Sequence, residues 1–598
     1  MSTKRTFQRL ASAFGVGQFA ALAALLTGIG AVNPLLAASS ANTNSAVGIN
    51  LHSVDYYSPE QPFLDILKTN GGLSTESSSG SGTSEEQFLN LDANGWPISL
   101  IAVGNLLPQQ FSQVSVLMLR SLPQTPNGVY PAGQYVVRYQ GEGTITYRFD
   151  AAKVPSLSAP GRDVINVATP TSGGGISLTI TATDPKHTGN YIRNIQVVKA
   201  ENESALVAGQ MFNPAFLSLM KNFRTIRYMD WINTNGSTES SWSKRPMLND
   251  ISWGTKRGVP WEVTVQLANA VSADPWLNIP VMADDNYIQQ LATLVHTNLG
   301  SKQQVYVEFS NETWNNGFSQ NAYVTAQGQA TFSGLQDGLE YNRNWFGMRT
   351  AQMCDIWKSV WGADFSRVVC VLAAQAASTY TATDSLDCKA WTAGAPCSAH
   401  NITAVAIAPY FGGGLPSAWT SQPDGGLANL FASLTSQNDP SIPTGGWLGQ
   451  ALGWVGKYST ALAKYKLPLI AYEGGQTFVS FPNGVNADGS DNATTKLYSA
   501  ANRDARMNTA YTAYLQGWKA NGGQMIALFN DISTFGQYGE WGALESIMQT
   551  TTPLSSAPAK WQAIQNFISG NPCWWSGCSG TVGGAAKTPM APANLVVQ

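Results

Sequence analysis

Two glutamates far apart in the chain stand in matching settings. Glu312 closes the stretch Val305-Tyr306-Val307-Glu308-Phe309-Ser310-Asn311-Glu312-Thr313-Trp314-Asn315, and Glu473 closes Leu467-Pro468-Leu469-Ile470-Ala471-Tyr472-Glu473-Gly474-Gly475. Each stretch begins with β-branched, aromatic and aliphatic residues, which read as a short buried strand. Two carboxyl groups facing each other are what cleavage of a glycosidic bond needs. One gives a proton to the leaving oxygen; the other attacks the anomeric carbon or activates a water. In the retaining form of that chemistry the carboxyls lie about 5–5.5 Å apart. The amide of Asn311 suits a sugar hydroxyl, and the indole of Trp314 suits a sugar C–H face. Taken singly, a strand-end glutamate serves equally well as an acceptor for backbone N–H groups or as an arginine partner. The pair, with Asn311 ahead of the first, favours chemistry.

Such residues need elements that bring positions 312 and 473 together. Strand and helix patterns alternate along most of the chain. Expected strands cover 46–52, 223–229, 276–282, the two glutamate stretches, 368–373, 403–410 and 525–529. Apolar residues at helical spacing, such as Val263, Leu267 and Val271, mark the helices between them. Alternating units imply a parallel sheet with both faces covered. Eight of them predict an α/β fold, a (β/α)8 TIM barrel with active groups at the C-terminal ends of its strands. Glu312 then ends strand four and Glu473 ends strand seven. A doubly wound open sheet is the alternative.

The first unit spans 46–70, including a short helix from Ser58 through Leu67, and 210–570 supplies the remainder. Between them, 86–200 carries alternating stretches such as Gln134-Tyr135-Val136-Val137-Arg138-Tyr139 and Ile176-Ser177-Leu178-Thr179-Ile180-Thr181. Turn residues separate them, which predicts an inserted antiparallel β-sandwich-like module after the first strand. Its tyrosines Tyr135, Tyr139 and Tyr147 either bind glycan or form its core. The Gly/Ser-rich segment 71–84 reads as a flexible connector, and 580–598 as a linker-like tail.

Composition narrows the partners. Of 598 residues only 12% are charged, the formal net charge is −3, and no Lys/Arg cluster stands out, which argues against a nucleic-acid partner. Lys4, Arg5 and Arg9 precede an uncharged run and a small-residue patch at Ala37-Ala38-Ser39-Ser40-Ala41, so 1–40 reads as a signal peptide and the protein as secreted or periplasmic. An uncleaved N-terminal anchor is the other reading; no later segment is long and apolar enough to span a bilayer. The chain has six cysteines, an even number that favours disulfides in an exported protein, with Cys388–Cys397 and Cys573–Cys578 the local pairs and Cys354 and Cys370 left open.

On these residues the chain resembles clan A of the glycoside hydrolases, retaining (β/α)8 enzymes that include many cellulases, mannanases and xylanases. The resemblance covers roughly 212–568 plus the first strand. It implies that Glu312 is the acid/base, Glu473 the nucleophile, and that Asn311 bonds the sugar 2-hydroxyl. It also implies that Arg227 keeps the nucleophile ionised and that Tyr410 bonds it. Trp541, Trp231 and Trp314 are candidate sugar platforms; His52 and His400 could line the mouth or be structural. The clan's strand-six His-x-Tyr is absent, Ala408 standing two before Tyr410. The implied substrate is a polysaccharide or oligosaccharide, with no cofactor and no metal. Similar secreted bacterial proteins with an Asn-Glu-x-Trp-Asn stretch are labelled cellulose-binding. A non-catalytic carbohydrate-binding or cell-surface matrix protein on the same fold is therefore the alternative.

Overall fold

The computed structural model describes residues 45–77, 82–83, 85–103, 110–120, 122, 131–168, 174–572 and 574–575. The expected signal peptide, the tail, and both members of the Cys573–Cys578 pair lie outside them. Eight parallel strands close into a barrel: β1 (Val47–Asn50), β2 (Thr225–Arg227), β3 (Asp274–Ile279), β4 (Val305–Phe309), β5 (Val368–Ala373), β6 (Ala404–Ile407), β7 (Leu469–Ala471) and β8 (Gly523–Leu528). Each strand pairs in parallel with the next, and β8 returns to β1, with Gly48 opposite Ala527. This is the (β/α)8 barrel, and the closure excludes the open sheet.

Strand parity sorts the side chains. Val305, Val307 and Phe309 of β4 point outward and join the core shared with the helices. Tyr306 points inward, where it packs with Trp276, Val371, Ala406, Ile470 and Tyr472. Because side chains alternate along a strand, Glu308 shares the inner side with Tyr306. The same alternation puts Arg227 inside on β2 while Ile226 faces the helices. The inner layer is therefore mixed: small and aromatic residues fill its lower part, and charged groups occupy its upper, C-terminal part. β1 approaches β2 so closely that a Cβ on Gly48 would lie 2.8 Å from the carbonyl of Thr225.

Helices follow the strands at Pro214–Met220, Trp261–Val271, Asp285–Asn298, Gly338–Trp361, Thr379–Asp387, Gly446–Leu462, Arg506–Ala520 and Ala559–Gly570. The helix after β3 starts where Asp284 accepts from the Tyr287 N–H at 2.6 Å, an acidic N-cap. Further helices stand at Ser319–Thr331, Leu427–Ser433 and Ala493–Arg503. The helix expected from Ser58 to Leu67 is a correction: only a short 3-10 turn, Ile66–Thr69, forms there. Pro59 and Pro62 remove backbone donors and disfavour helix in the residues before them.

The module is two antiparallel sheets. One runs Arg193–Lys199, Gly133–Gln140, Arg162–Val167, Ala151–Lys153; the other runs Gly82–Thr83, Ser74–Ser77, Phe111–Met118, Ile176–Thr183, Gly143–Phe149. It thus starts earlier than position 86, and the supposed connector supplies two of its strands, Ser74–Ser77 and, at the sheet edge, Gly82–Thr83. Tyr135 is buried in the module core, and the Tyr147 hydroxyl donates to Asp163 at 2.8 Å. Asp65 joins module to barrel by accepting from the Val197 N–H at 2.9 Å.

Cys388 and Cys397 form a disulfide, while Cys354 and Cys370 are free and buried. The bridge closes a short loop beside the helix Thr379–Asp387. Replacing both cysteines with alanine is expected to cost about 2–3 kcal/mol, the chain-entropy value for so short a loop. A melting temperature unmoved by the double substitution would remove the bridge from the stability account. Among the described residues, no helix is long and apolar enough to cross a membrane.

Candidate active site

At the C-terminal end of the barrel one arginine organises the charged groups. Arg227 is fully buried, and its fork reaches three barrel strands. Nη1 donates to Glu473 Oε1 at 2.8 Å and to Asn50 Oδ1 at 3.0 Å. Nη2 donates to Glu308 Oε2 at 2.9 Å and to Asn311 Oδ1 at 2.8 Å, and Nε donates to Glu308 at 3.2 Å. Its guanidinium also lies 5.1 Å from the Tyr472 ring and 5.5 Å from the Trp276 ring. Burial opposes its charge, but Glu308 and Glu473 hold its pKa above the ordinary value.

Glu308 is the structural counterion. Its Oε2 accepts from Arg227, from Trp276 Nε1 at 2.8 Å and from Asn278 Nδ2 at 2.8 Å. Its Oε1 is buried without a hydrogen-bond partner among the described residues. Burial raises its pKa, and Arg227 pulls it back.

Glu473 follows β7 and Tyr472. Its Oε1 is held by Arg227; its Oε2 accepts from the Tyr410 hydroxyl at 2.9 Å. Both of its oxygens are thus taken by donors, one of them a cation. Tyr410 comes from the end of β6, so strands two, six and seven together fix one oxygen pair.

Glu312 lies in a different environment. Oε1 accepts from the Tyr472 hydroxyl at 2.9 Å and Oε2 from Asn315 Nδ2 at 2.8 Å; among the described residues no cation bonds it. Burial pushes its pKa up to about 7, and the negative charge of Glu473 adds to the rise. The two carboxyls therefore sit in unlike surroundings: Glu473 is bonded by a guanidinium, and Glu312 by a phenol and an amide. The chain reaches Glu312 by a bent backbone: Ser310 and Glu312 have φ of 62° and 41°, left-handed values that favour glycine. Such local strain concentrates where a side chain must be aimed.

Asn311 is buried. Its Oδ1 is taken by Arg227, and its Nδ2 donates to Asn235 at 3.1 Å, leaving one amide hydrogen for a ligand. Trp541, from the segment after β8, packs its ring 5.6 Å from Tyr410 and 5.4 Å from Phe529. Trp314 is half-buried, and its indole N–H has no partner among the described residues.

Trp231 is a correction. It is only 1% exposed, stacks on Phe216, donates to Glu60 and belongs to the core between barrel and helices, so it offers no face to a sugar. His400 is also away from the mouth, bonding Asp355 at 2.7 Å near the disulfide loop. His52 lies beside the β8 loop, where burial lowers its pKa to about 4 and keeps it neutral.

Several residues of the cluster were not singled out from the sequence: Glu308, Asn50, Trp276, Asn278 and Tyr472. A charged residue inside the apolar run Val305–Phe309 is a legible signal, since a buried charge requires a partner. Asp230 belongs with them. Burial and the charge of Glu473 raise its pKa to about 7. Among the described residues no group of three or more His, Cys, Asp or Glu is arranged to hold a metal. A cavity of about 370 Å³ lies elsewhere, at the seam of module and barrel, lined by Asp65, Lys68, Trp96, Arg138 and Tyr139 among others.

No protein-family model matches the chain, and no curated protein matches it. Solved structures similar to it include a family 5 xyloglucanase from Paenibacillus pabuli, at 12% identity and a TM-score of 0.30, covering 60% of this chain and 90% of that one. A broad-specificity endoglucanase from Bacteroides salanitronis is similar at 10% identity and a TM-score of 0.31, covering 59% and 85%. A family 1 β-glucosidase from Thermotoga maritima stands at 10% and 0.30, covering 60% and 85%.

Proposed function

We propose that this protein is an exported glycoside hydrolase that cleaves a polysaccharide or oligosaccharide by a retaining double displacement. The observation that carries the reading is the division of labour between the two carboxyls. Glu473 is held by Arg227 and Tyr410, whereas Glu312 is bonded by no cation among the described residues and burial pushes its pKa up to about 7. In the first step a Glu473 oxygen bonds the anomeric carbon as the glycosidic C–O bond breaks. The bonding pair leaves on the oxygen, which takes the proton of Glu312. In the second step Glu312, now ionised, takes a proton from water. The water oxygen then displaces Glu473 from the sugar. Asn311, fixed by Arg227, presents its remaining amide hydrogen towards the 2-hydroxyl. Neither step needs a cofactor.

The pH dependence follows from Glu312. The first step needs its protonated form, so kcat/KM is expected to fall about tenfold per pH unit above about 7. Glu312→Gln should remove that limb. It should also slow cleavage of an unactivated polysaccharide by about 10²–10⁴-fold, the range for a lost general acid. An aryl glycoside whose leaving group needs no proton should lose far less in its first step. Equal losses on both substrates, with the alkaline limb retained, would remove Glu312 from the acid role.

A further inference from the structure

The rim of the barrel beyond these carboxyls carries two large aromatic rings in solvent. Phe481 is 55% exposed and Tyr538 is 68% exposed. They come from different segments, one after β7 and one after β8. Their centroids are nevertheless 5.2 Å apart with planes inclined by 30°, so they make one surface. An exposed pair of this size buries nothing in the core, and contiguous exposed apolar surface marks a contact site.

The two segments that carry the pair are tied to each other and to the barrel. The Phe481 N–H donates to Gln537 O at 2.9 Å, joining the two segments. Trp541 Nε1 donates to Tyr538 O at 2.8 Å. Glu540 O accepts from Gln476 Nε2 at 2.8 Å and from the buried Lys560 Nζ at 2.5 Å. Contacts lead inward from the pair: the Trp541 indole N–H donates to the Tyr538 backbone carbonyl, the Trp541 ring packs on Tyr410, and the Tyr410 hydroxyl donates to Glu473. A backbone already tied in place leaves less to order on binding.

We infer that Phe481 and Tyr538 form an accessory platform for pyranose units of a polysaccharide chain that extends out of the carboxyl site. The occupant rests on the glycosidase reading. The chemistry is the stacking of flat, weakly polar ring faces on the C–H faces of sugar rings, with the Tyr538 hydroxyl free to meet water or a sugar hydroxyl. A protein partner would instead use the same patch as an anchor, and would leave glycan affinity unchanged by its removal.

The test is affinity electrophoresis in gels cast with mixed-linkage β-glucan, xyloglucan, xylan or galactomannan. Glu473→Gln is compared with the same chain carrying Phe481→Ala and Tyr538→Ala. Retardation of the first in at least one gel, with affinity about tenfold weaker in the second, is the expected result. Phe481→Tyr with Tyr538→Phe should retain the retardation, which separates lost rings from lost fold. Equal retardation of the parent and the alanine variant, or no retardation in any gel, overturns the inference. Hydrolysis of the same four glycans by the unsubstituted protein is scored separately. Ring-dependent retardation without hydrolysis would defeat the enzyme reading and leave the platform standing.

Discussion

Glu473→Gln is expected to lower kcat by about 10⁴-fold or more while leaving the fold in place. A glutamine cannot form the glycosyl ester, so the proposed double displacement loses its first step entirely; effects of this order accompany loss of a covalent nucleophile. The shape is conserved. The glutamine carbonyl can still accept from Arg227, which keeps Glu308 as its counterion. A second readout distinguishes this from general damage. The charge of Glu473 contributes to the raised pKa of Glu312, so its removal should move Glu312 down, towards the ordinary carboxylate range. An unchanged rate in the variant would take Glu473 out of the mechanism.

Arg227→Met carries the second large effect, this time on stability. The wild-type guanidinium makes ion pairs with both Glu308 and Glu473 in a buried setting. Removing one partner of a buried pair leaves an uncompensated charge and typically costs about 3–5 kcal/mol. Here two carboxylates are stranded, and Asn50 and Asn311 each lose a donor. The pH dependence has a definite sign. Glu308 already has a raised pKa from burial, and without Arg227 it rises further. A carboxyl whose folded pKa exceeds its unfolded one stabilises the fold when protonated, and that gain is lost as pH rises through the folded pKa. The deficit should therefore be larger at pH 8 than at pH 5, measured as the shift in urea midpoint. Arg227→Lys should fall between the two, since an ammonium keeps the charge but cannot reproduce the fork. Wild-type stability of Arg227→Met at pH 8 would refute this account of the cluster.

Sequence and structure agree where a local pattern is enough. The apolar runs ending at Glu312 and Glu473, and the alternation of strand with helix, specify the barrel because each segment's period states which face it buries. The module was legible from its alternating strands. What local pattern does not carry is closure. Which inward residues meet depends on register around the ring, so Asn50, Arg227, Trp276 and Glu308 come together from four strands with no sequence signature of the meeting. Trp231 shows the converse: a tryptophan just past a strand end looked like a platform, yet it sits in a turn beyond β2 and packs into the core against Phe63 and Phe216. A proline near the first position suits a helix starting at Ser58, but the second proline, Pro62, works against it, and only a 3-10 turn forms at Ile66–Thr69. Phe481 and Tyr538 lie 57 residues apart in numbering, and only the packing of two loops makes them neighbours.

The most direct test of the central claim is release of reducing ends from a panel of β-linked polysaccharides, with the unsubstituted protein and Glu473→Gln assayed side by side. The two-carboxyl account predicts release from at least one glycan by the former and essentially none by the latter, with both proteins melting cooperatively. Release by neither protein, while the unsubstituted chain still binds one of the glycans, would contradict it and mark a carbohydrate-binding protein on a barrel.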